Sequence, residues 1–336
     1  MTRPPFEFDV YGFRFRIVGT APDAMADLAS EFTHFRRPIS GPCTTVELRL
    51  EAPPYASVPD EVARVYTPRN ISFRKGPVTY VDYGGRALGL YDESTSSFRV
   101  FGESRDLLYE AAYLFLLSHI SELLDGRRLH RVHALAMSLN SRAILVLLPM
   151  GGGKSTLGSG LMRFPELGFL SDDSPLIDRA GRVHAFPLRM GLLPGDEAEV
   201  PAEYRRTFQR MEFGPKVAIH YDFFAPRVVP SADPGLVLLG RRSLSTDCAI
   251  EPASTAAGMR AMLANCVVGL GLFQGMEFVF NDGLWRMMGK AGTATSRARS
   301  AFALVRRSTV AYVTLGRDLE RNARTVRDYA HAQLTG

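Results

Sequence analysis

Cysteine is scarce in this chain of 336 residues, which has only three: Cys43, Cys248 and Cys266. The three are far apart in the sequence, form no C-x-x-C pair and have no histidines at the spacing of a metal site. This distribution argues against a disulfide framework and against a zinc site, and it favours a reducing compartment.

Long apolar runs are also missing. No uninterrupted apolar stretch reaches the about 20 residues that a membrane-spanning helix needs, and the N-terminal segment has no apolar core of a secretory signal. The most apolar helical segment, Leu107–Leu124, is interrupted by Glu110, His119 and Glu122. We therefore expect a cytoplasmic protein that does not associate with a membrane.

The charge is not concentrated in one place. The formal net charge is +5, and adjacent arginines such as Arg205-Arg206, Arg241-Arg242 and Arg306-Arg307 are spread along the chain. No stripe of aromatic residues accompanies them, so nucleic acid is not a favoured partner. Dispersed charge of this kind is typical of a solvated surface, and an acidic partner or peptide is the alternative that stays open.

Two patterns divide the chain. The first hundred residues contain short alternating segments, such as Thr44–Glu51, separated by glycine, aspartate and serine turns, which predicts a strand-rich domain. From Arg105 to Leu124 the apolar residues surround a helix, which indicates a buried helix that opens a second domain. Strand and helix patterns then alternate. We predict an α/β (or α+β) protein with an N-terminal strand-rich domain over residues 1–104, for substrate recognition or oligomerisation, and a second domain over residues 105–336.

The most informative segment is Leu145–Leu161, LVLLPMGGGKSTLGSGL, in which an apolar strand pattern meets glycines and then a helical pattern. Glycines let backbone N–H groups turn toward a phosphate, and the helix N-terminus adds the positive end of its dipole. We expect Lys154 to reach the β- and γ-phosphates of a nucleotide and the Ser155 hydroxyl to ligate Mg²⁺. Leu148 stands where the G-x-x-x-x-G-K-[ST] signature has its first glycine. The residues that we predict to bind the nucleotide are Gly151, Gly152, Gly153, Lys154, Ser155 and Thr156.

Two aspartates and a histidine accompany this loop. Asp172 and Asp173 follow a short apolar strand, 18 and 19 residues after Lys154. Acids so placed can hold Mg²⁺ or accept the proton of a hydroxyl group, although SDDSP is also a good turn sequence. His133 begins the hairpin whose second strand leads into the loop, which makes it a third candidate, although a lone histidine on a strand is usually structural.

In their order and spacing, these motifs resemble those of HPr kinase/phosphorylase and its relatives, including the precursor kinases of lasso peptides. The resemblance extends from about residue 129 to residue 192, over RVHALAMSLNSRAILVLLPMGGGKSTL, FLSDDSPLID and GRVHAFPLRMGL. It implies an HPr-kinase-like core related to phosphoenolpyruvate carboxykinase, and transfer of the γ-phosphoryl group of ATP, or another nucleoside triphosphate, to a serine of a peptide or protein with Mg²⁺. In that scheme Asp172 is the base with His133 beside it, and Ser155 and Asp173 serve the metal.

Two differences from HPr kinase narrow the choice of substrate. HPr kinase has an acidic residue where Thr156 stands, and its C-terminal signature for phosphorolysis of HPr is not found. The divergent kinase-like branch is therefore favoured, with a peptide or small protein as substrate, such as the precursor of a ribosomal peptide natural product. Arg189 and Lys216 are further candidates for binding substrate or phosphate. A homo-oligomer is compatible with the sequence. Two alternatives stay open: a kinase of a small-molecule hydroxyl, and a non-catalytic module that senses nucleotide.

Overall fold

The computed structural model describes residues 4–63, 65–67, 69–149, 151–197, 200–210, 214–267 and 284–335. These residues form two compact units. The first unit holds the described residues within 1–123, 207–216 and 274–287, and the second holds those within 124–206, 217–273 and 288–336. At the coarsest level the protein is mixed α/β with several sheets, as the sequence predicts.

The first unit is built on an eight-stranded sheet with the order β1-β2-β3-β8-β7-β6-β5-β4. The pairs β2/β3 and β3/β8 are parallel and the other neighbours are antiparallel. Its elements are β1 (Phe6–Val10), β2 (Phe13–Gly19), α1 (Pro22–Glu31), β3 (Thr44–Leu50), β4 (Val65–Tyr66), β5 (Ile71–Lys75), β6 (Val78–Asp82), β7 (Ala87–Asp92), β8 (Ser97–Gly102) and α2 (Arg105–Gly126).

The helix α2 is apolar on all sides because it is enclosed in the core. Phe115 on this helix stacks on Phe98 of β8, with ring centroids 4.0 Å apart. Among the described residues, α2 alone has the length and composition of a membrane span, but 78% of its most apolar window is buried in the protein. The sequence places this helix in the second domain, whereas up to residue 123 it belongs to the first unit.

The second unit contains a nine-stranded sheet and most of the helices. Its strands are β9 (His130–Arg131), β10 (Leu135–Leu139), β11 (Arg142–Leu147), β12 (Gly168–Ser171), β13 (Leu176–Ile177), β14 (Val183–His184), β18 (Ser231–Arg242), β19 (Ala249–Pro252) and β20 (Thr309–Leu315). Three further strands, β15 (Met190–Leu192), β16 (Arg205–Arg210) and β17 (Gly214–Ile219), form a small sheet, and residues 207–210 and 214–216 of these strands are assigned to the first unit. The helices are α3 (Lys154–Leu161), α4 (Tyr221–Phe224), α5 (Thr255–Met262), α6 (Leu284–Arg306) and α7 (Leu319–Leu334), and a π-helical turn (Leu263–Val267) follows α5.

The three strands β11, β18 and β20 are parallel neighbours, so their C-terminal ends meet at one edge of the sheet. Successive side chains of a strand face opposite sides. On β11, Val146 packs in one core with residues of α3 and α7, and Leu147 packs in another with residues of α5 and α6. The sheet therefore has an α3 face and an α5 face, and ligand sites in such sheets lie beyond the C-terminal ends of the strands.

Candidate functional site

The glycine loop lies at that C-terminal edge, between β11 and α3. Gly151 and Gly153 have φ angles of 74° and 91°, in the left-handed region that favours glycine. The Gly152 N–H donates to the Pro149 carbonyl at 2.9 Å, which closes the turn. The strand, the turn and the helix therefore follow one another in the order that the sequence predicts.

Leu148, which replaces the first glycine of the loop signature, has two roles in the structure. Its side chain is buried in the α3-side core. Its carbonyl accepts a hydrogen bond of 2.9 Å from Lys154 Nζ. This position thus anchors the loop to the core while its backbone holds the lysine ammonium.

Lys154 is buried, with only 7% of its surface exposed. Its Nζ lies 3.7 Å from Asp173 Oδ1. Burial lowers the pKa of Lys154, and the negative charges of Asp173 and Asp172 act in the opposite direction. A buried ammonium of this kind is stabilised by any anion that enters the loop.

Asp172 is held close to the start of α3. Its Oδ2 accepts hydrogen bonds from Ser155 Oγ at 2.7 Å and from the Gly191 N–H at 3.3 Å. Asp172 is 5% exposed. In the described part of the chain no group of three or more His, Cys, Asp or Glu side chains can hold a metal. Mg²⁺ usually takes only one or two carboxylates and completes its shell with substrate phosphates and water, so the oxygens of Ser155 and Asp172 fit it.

Asp173 differs from its neighbour in both exposure and contacts. Its side chain is 54% exposed, and its Oδ1 lies 3.1 Å from His133 Nε2. His133 is almost completely buried, and its backbone N–H donates to the Asn265 carbonyl at 3.1 Å. A fixed imidazole therefore supports a carboxylate that solvent and ligands can reach.

A cavity of about 650 Å³ opens beside His133 on the α5 face. Its walls combine the C-terminal ends of β11 and β18 and the middle of β20 with α5 and the turn that follows it. The lining residues are His133, Leu147, Leu148, Pro149, Leu239, Gly240, Arg241, Ala257, Arg260, Ala261, Asn265 and Tyr312. The Arg241 guanidinium lies over the Tyr312 ring, 3.6 Å from its centroid.

Arg242 is a candidate that sequence reasoning misses. A Cβ built on Gly153 would lie 3.1 Å from Arg242 Nη1, so this guanidinium lies beside the loop. Leu147, the last residue of β11, pairs with Leu239. β18 therefore extends beyond the end of β11, and Arg241 and Arg242 lie at the C-terminal edge of the sheet. From the sequence alone, Arg241 and Arg242 are predicted to lie on the solvated surface, because the sequence does not show that β18 pairs with β11.

The remaining predicted site residues are Thr156, Arg189 and Lys216, and they lie at different places in the fold. Thr156 Oγ1 donates to Asp196 Oδ2 at 3.0 Å. Arg189 is half-buried and directly precedes β15, whose Gly191 contacts Asp172. Lys216 lies in β17 and belongs to the first unit. The structure thus brings His133, Lys154, Ser155, Asp172 and Asp173 together, and Lys216 is not part of that cluster.

No protein-family model matches this chain, and a search of curated proteins finds no significant match. The groups of the candidate site are a buried cation, a hydroxyl–carboxylate pair, and an exposed carboxylate with an imidazole, all at the start of one helix. This set is suited to binding phosphates and to moving a proton from a hydroxyl group.

Proposed function

We propose that this protein is an HPr-kinase-like enzyme that transfers the γ-phosphoryl group of ATP to a serine of a peptide or small protein. One observation carries the proposal: at the glycine loop, Lys154 Nζ lies 3.7 Å from Asp173 Oδ1 while Ser155 Oγ is bonded to Asp172 Oδ2 at 2.7 Å. Phosphoryl transfer depends chiefly on positioning and charge stabilisation, which are what such a cluster supplies. A cytoplasmic location belongs to the same proposal.

In this proposal the loop binds the phosphates of ATP. Backbone N–H groups at the N-terminus of α3 face the anion together with the positive end of the helix dipole. When phosphate binds, Lys154 Nζ exchanges its hydrogen bond to the Leu148 carbonyl for one to a phosphate oxygen. The negative charge of the phosphate offsets the cost of burying the ammonium. Arg242, beside Gly153, adds a second cation to the phosphate site.

Ser155 and Asp172 would hold Mg²⁺, because both are oxygen donors and already share a hydrogen bond of 2.7 Å. When bound, the ion neutralises negative charge on the phosphates. The Gly191 N–H fixes the orientation of the Asp172 carboxylate. Asp172 is also buried, which leaves little room for an acceptor hydroxyl to approach it.

Asp173 is the better candidate for the base. The resemblance assigns the base to Asp172 and the metal to Asp173, and that assignment remains a prediction. The geometry favours the opposite assignment, since Asp173 is half-exposed and Asp172 is bonded to Ser155. His133 then orients the Asp173 carboxylate from the cavity side.

The reaction follows from these positions. The serine oxygen forms a bond to the γ-phosphorus, and the bond from that phosphorus to the β,γ-bridging oxygen breaks. The serine proton passes to the Asp173 carboxylate, and the bonding electrons leave with ADP. Lys154 and Arg242 stabilise the charge that develops on the phosphates.

The experiment is to incubate the protein with Mg²⁺, ATP and serine-containing peptides and to locate added phosphoryl groups by fragmentation mass spectrometry. The proposal predicts phosphoserine in peptides and no product from free sugars or nucleosides. Phosphorylation of a small molecule alone would replace this function with that of a small-molecule kinase. Tight nucleotide binding without transfer to any acceptor would favour a nucleotide-sensing module.

A further inference from the structure

The cavity on the α5 face lies next to the proposed phosphoryl-transfer site but on the other side of the sheet from α3. Its apolar wall includes Leu147, Leu239 and Ala257, which belong to the α5-side core. Lys154 and Ser155 begin α3, whose buried leucines belong to the opposite core. A ligand in the cavity would therefore approach the loop from the side opposite α3.

The charge of this cavity points to an anionic ligand. Arg241 and Arg260 line it and are exposed, and the lining contains no carboxylate among the described residues. Tyr312 supports the Arg241 guanidinium from one face, at 3.6 Å, and holds it in place. The edge of a guanidinium stacked in this way remains available for the two parallel hydrogen bonds that a carboxylate accepts.

His133 connects the cavity to the reacting groups. It lines the cavity, and its Nε2 lies 3.1 Å from Asp173 Oδ1. The same carboxylate oxygen lies 3.7 Å from Lys154 Nζ. Asp173 is not among the lining residues, so an acceptor hydroxyl at the inner end of the cavity has to pass the His133 ring to reach this carboxylate.

We propose that this cavity binds the acceptor, and that Arg241 and Arg260 select serine peptides that carry an aspartate or glutamate close to the phosphorylated serine. The inference rests on the proposed function and adds the substrate class. In-line transfer requires the acceptor to attack from the side opposite the leaving ADP, which matches a cavity on the face opposite α3. A nucleotide base can also stack on a guanidinium plane, so the ATP affinity of the Arg241 and Arg260 variants distinguishes the two occupants.

A peptide library with one fixed serine and randomised neighbours tests this preference directly. With Mg²⁺ and ATP, the wild-type protein is expected to phosphorylate peptides with Asp or Glu near the serine at least about tenfold more efficiently than the same peptides with Lys. A tenfold ratio corresponds to about 1.4 kcal/mol, which is typical of one good charge-assisted contact. Equal efficiency for acidic and basic neighbours would overturn the inference.

Charge reversal identifies the residues responsible. Arg241→Glu and Arg260→Glu are expected to raise KM for the acidic peptide about tenfold and to move the preference toward the peptide with Lys. The dissociation constant for ATP should change less than twofold. Arg324→Glu on α7 changes the charge equally at another exposed arginine and is expected to keep the wild-type preference. Melting curves of all three variants verify that they are folded.

The outcomes separate the inference from the function on which it rests. If serine peptides are phosphorylated but both reversed variants keep the acidic preference, the cavity is not the selective site and the proposed function stands. If Arg260→Glu weakens ATP binding tenfold and leaves peptide KM unchanged, the cavity holds the nucleotide and the inference fails. If no peptide is phosphorylated although ATP binds, the proposed function itself fails.

Discussion

The two faces of the sheet differ most at the edge where β11 and β18 end. On the α3 face, Lys154 is buried, and Ser155 and Asp172 are joined by a hydrogen bond of 2.7 Å. On the α5 face, a cavity of about 650 Å³ is bordered by two exposed arginines. A closed, polar arrangement suits a ligand whose chemistry is fixed, such as a triphosphate, whereas an open cavity suits a partner whose sequence has to be selected.

The adjacent residues Asp172 and Asp173 show a similar contrast in their surroundings. Asp172 is buried and bonded to Ser155, and Asp173 is half-exposed and contacts His133. Both residues lie in the bend that follows β12, where the backbone leaves the strand and the two side chains acquire different surroundings. The two residues are of the same type, so their proposed roles, metal ligand and base, differ because their surroundings differ.

The largest effect is expected from Lys154→Met. The substitution keeps an unbranched side chain of similar length and removes the charge that stabilises the transferring phosphoryl group, so transfer should fall by at least about 10²-fold. Lys75→Met is the matched control at an exposed lysine of β5 and should keep wild-type transfer. Transfer at the wild-type rate by Lys154→Met would remove the loop from this account.

The same variant should melt no earlier than the wild type at neutral pH. Burial lowers the pKa of Lys154, so below that lowered pKa the folded protein carries the full cost of a buried charge. Between the lowered pKa and the ordinary pKa of lysine the unfolded chain binds more protons, and the stability of the wild type therefore rises with pH. Melting curves across the alkaline range should show this rise in the wild type and a smaller one in Lys154→Met.

The next largest effect is expected from the aspartates. Asp173→Asn should keep ATP affinity and lower transfer by about 10²–10⁴-fold, because the amide cannot accept the serine proton. Asp172→Asn should mainly weaken the Mg²⁺-dependent part of ATP binding, measured by calorimetry with and without Mg²⁺. The reverse pattern would restore the assignment that the resemblance implies, with Asp172 as the base.

A smaller effect is expected from Gly153→Ala. A side chain at φ 91° costs about 1–2 kcal/mol, and the new Cβ would lie 3.1 Å from Arg242 Nη1. Because this strain favours other conformations of the loop over the one that binds phosphate, ATP affinity should fall about tenfold. Gly126→Ala is the control, since its Cβ would meet nothing within 4 Å and its φ is not in the left-handed region. Equal affinity in the two variants would show that the turn of the loop is not needed for binding.

The smallest effect on transfer is expected from His130→Ala. His130 is fully buried, with Nδ1 2.7 Å from Asp125 Oδ1 and Nε2 2.8 Å from Ser296 Oγ. Arg297 also contacts this aspartate, so the network ties α6 to the sheet. Its loss should cost about 2–3 kcal/mol of unfolding free energy and leave ATP affinity unchanged, measured by denaturant titration and calorimetry. A selective loss of ATP affinity would place this network in the site.

The sequence predicts the α3 side of the site better than the α5 side. His133, the glycine loop and the two aspartates lie within about forty residues, and a strand–turn–helix pattern is enough to bring them together. Element ends are a limit of such patterns: the sequence favours one helix over Asp23–Phe35, whereas the structure has α1 (Pro22–Glu31) followed by a 3₁₀ turn (Thr33–Phe35). Local signals thus determine element type more reliably than element ends.

The α5 side depends on contacts between distant segments. Arg241 reaches the cavity because β18 is a parallel neighbour of β11, and Arg260 and Asn265 reach it through α5 and the turn that follows. Neither the order of strands nor the face that a helix covers can be determined from these segments alone. The burial of Lys154 has the same origin, because a loop lysine is expected in solvent until its packing is known.

The most direct test of the division between the two faces is a crystal structure with Mg²⁺ and a non-hydrolysable ATP analogue. Phosphate oxygens are expected within hydrogen-bond distance of Lys154 Nζ and of the loop N–H groups. Ser155 and Asp172 are expected to bind the metal, and the nucleotide should not enter the cavity beside His133. A nucleotide base seated between Arg241 and Arg260, or phosphates bound away from Lys154, would contradict this division.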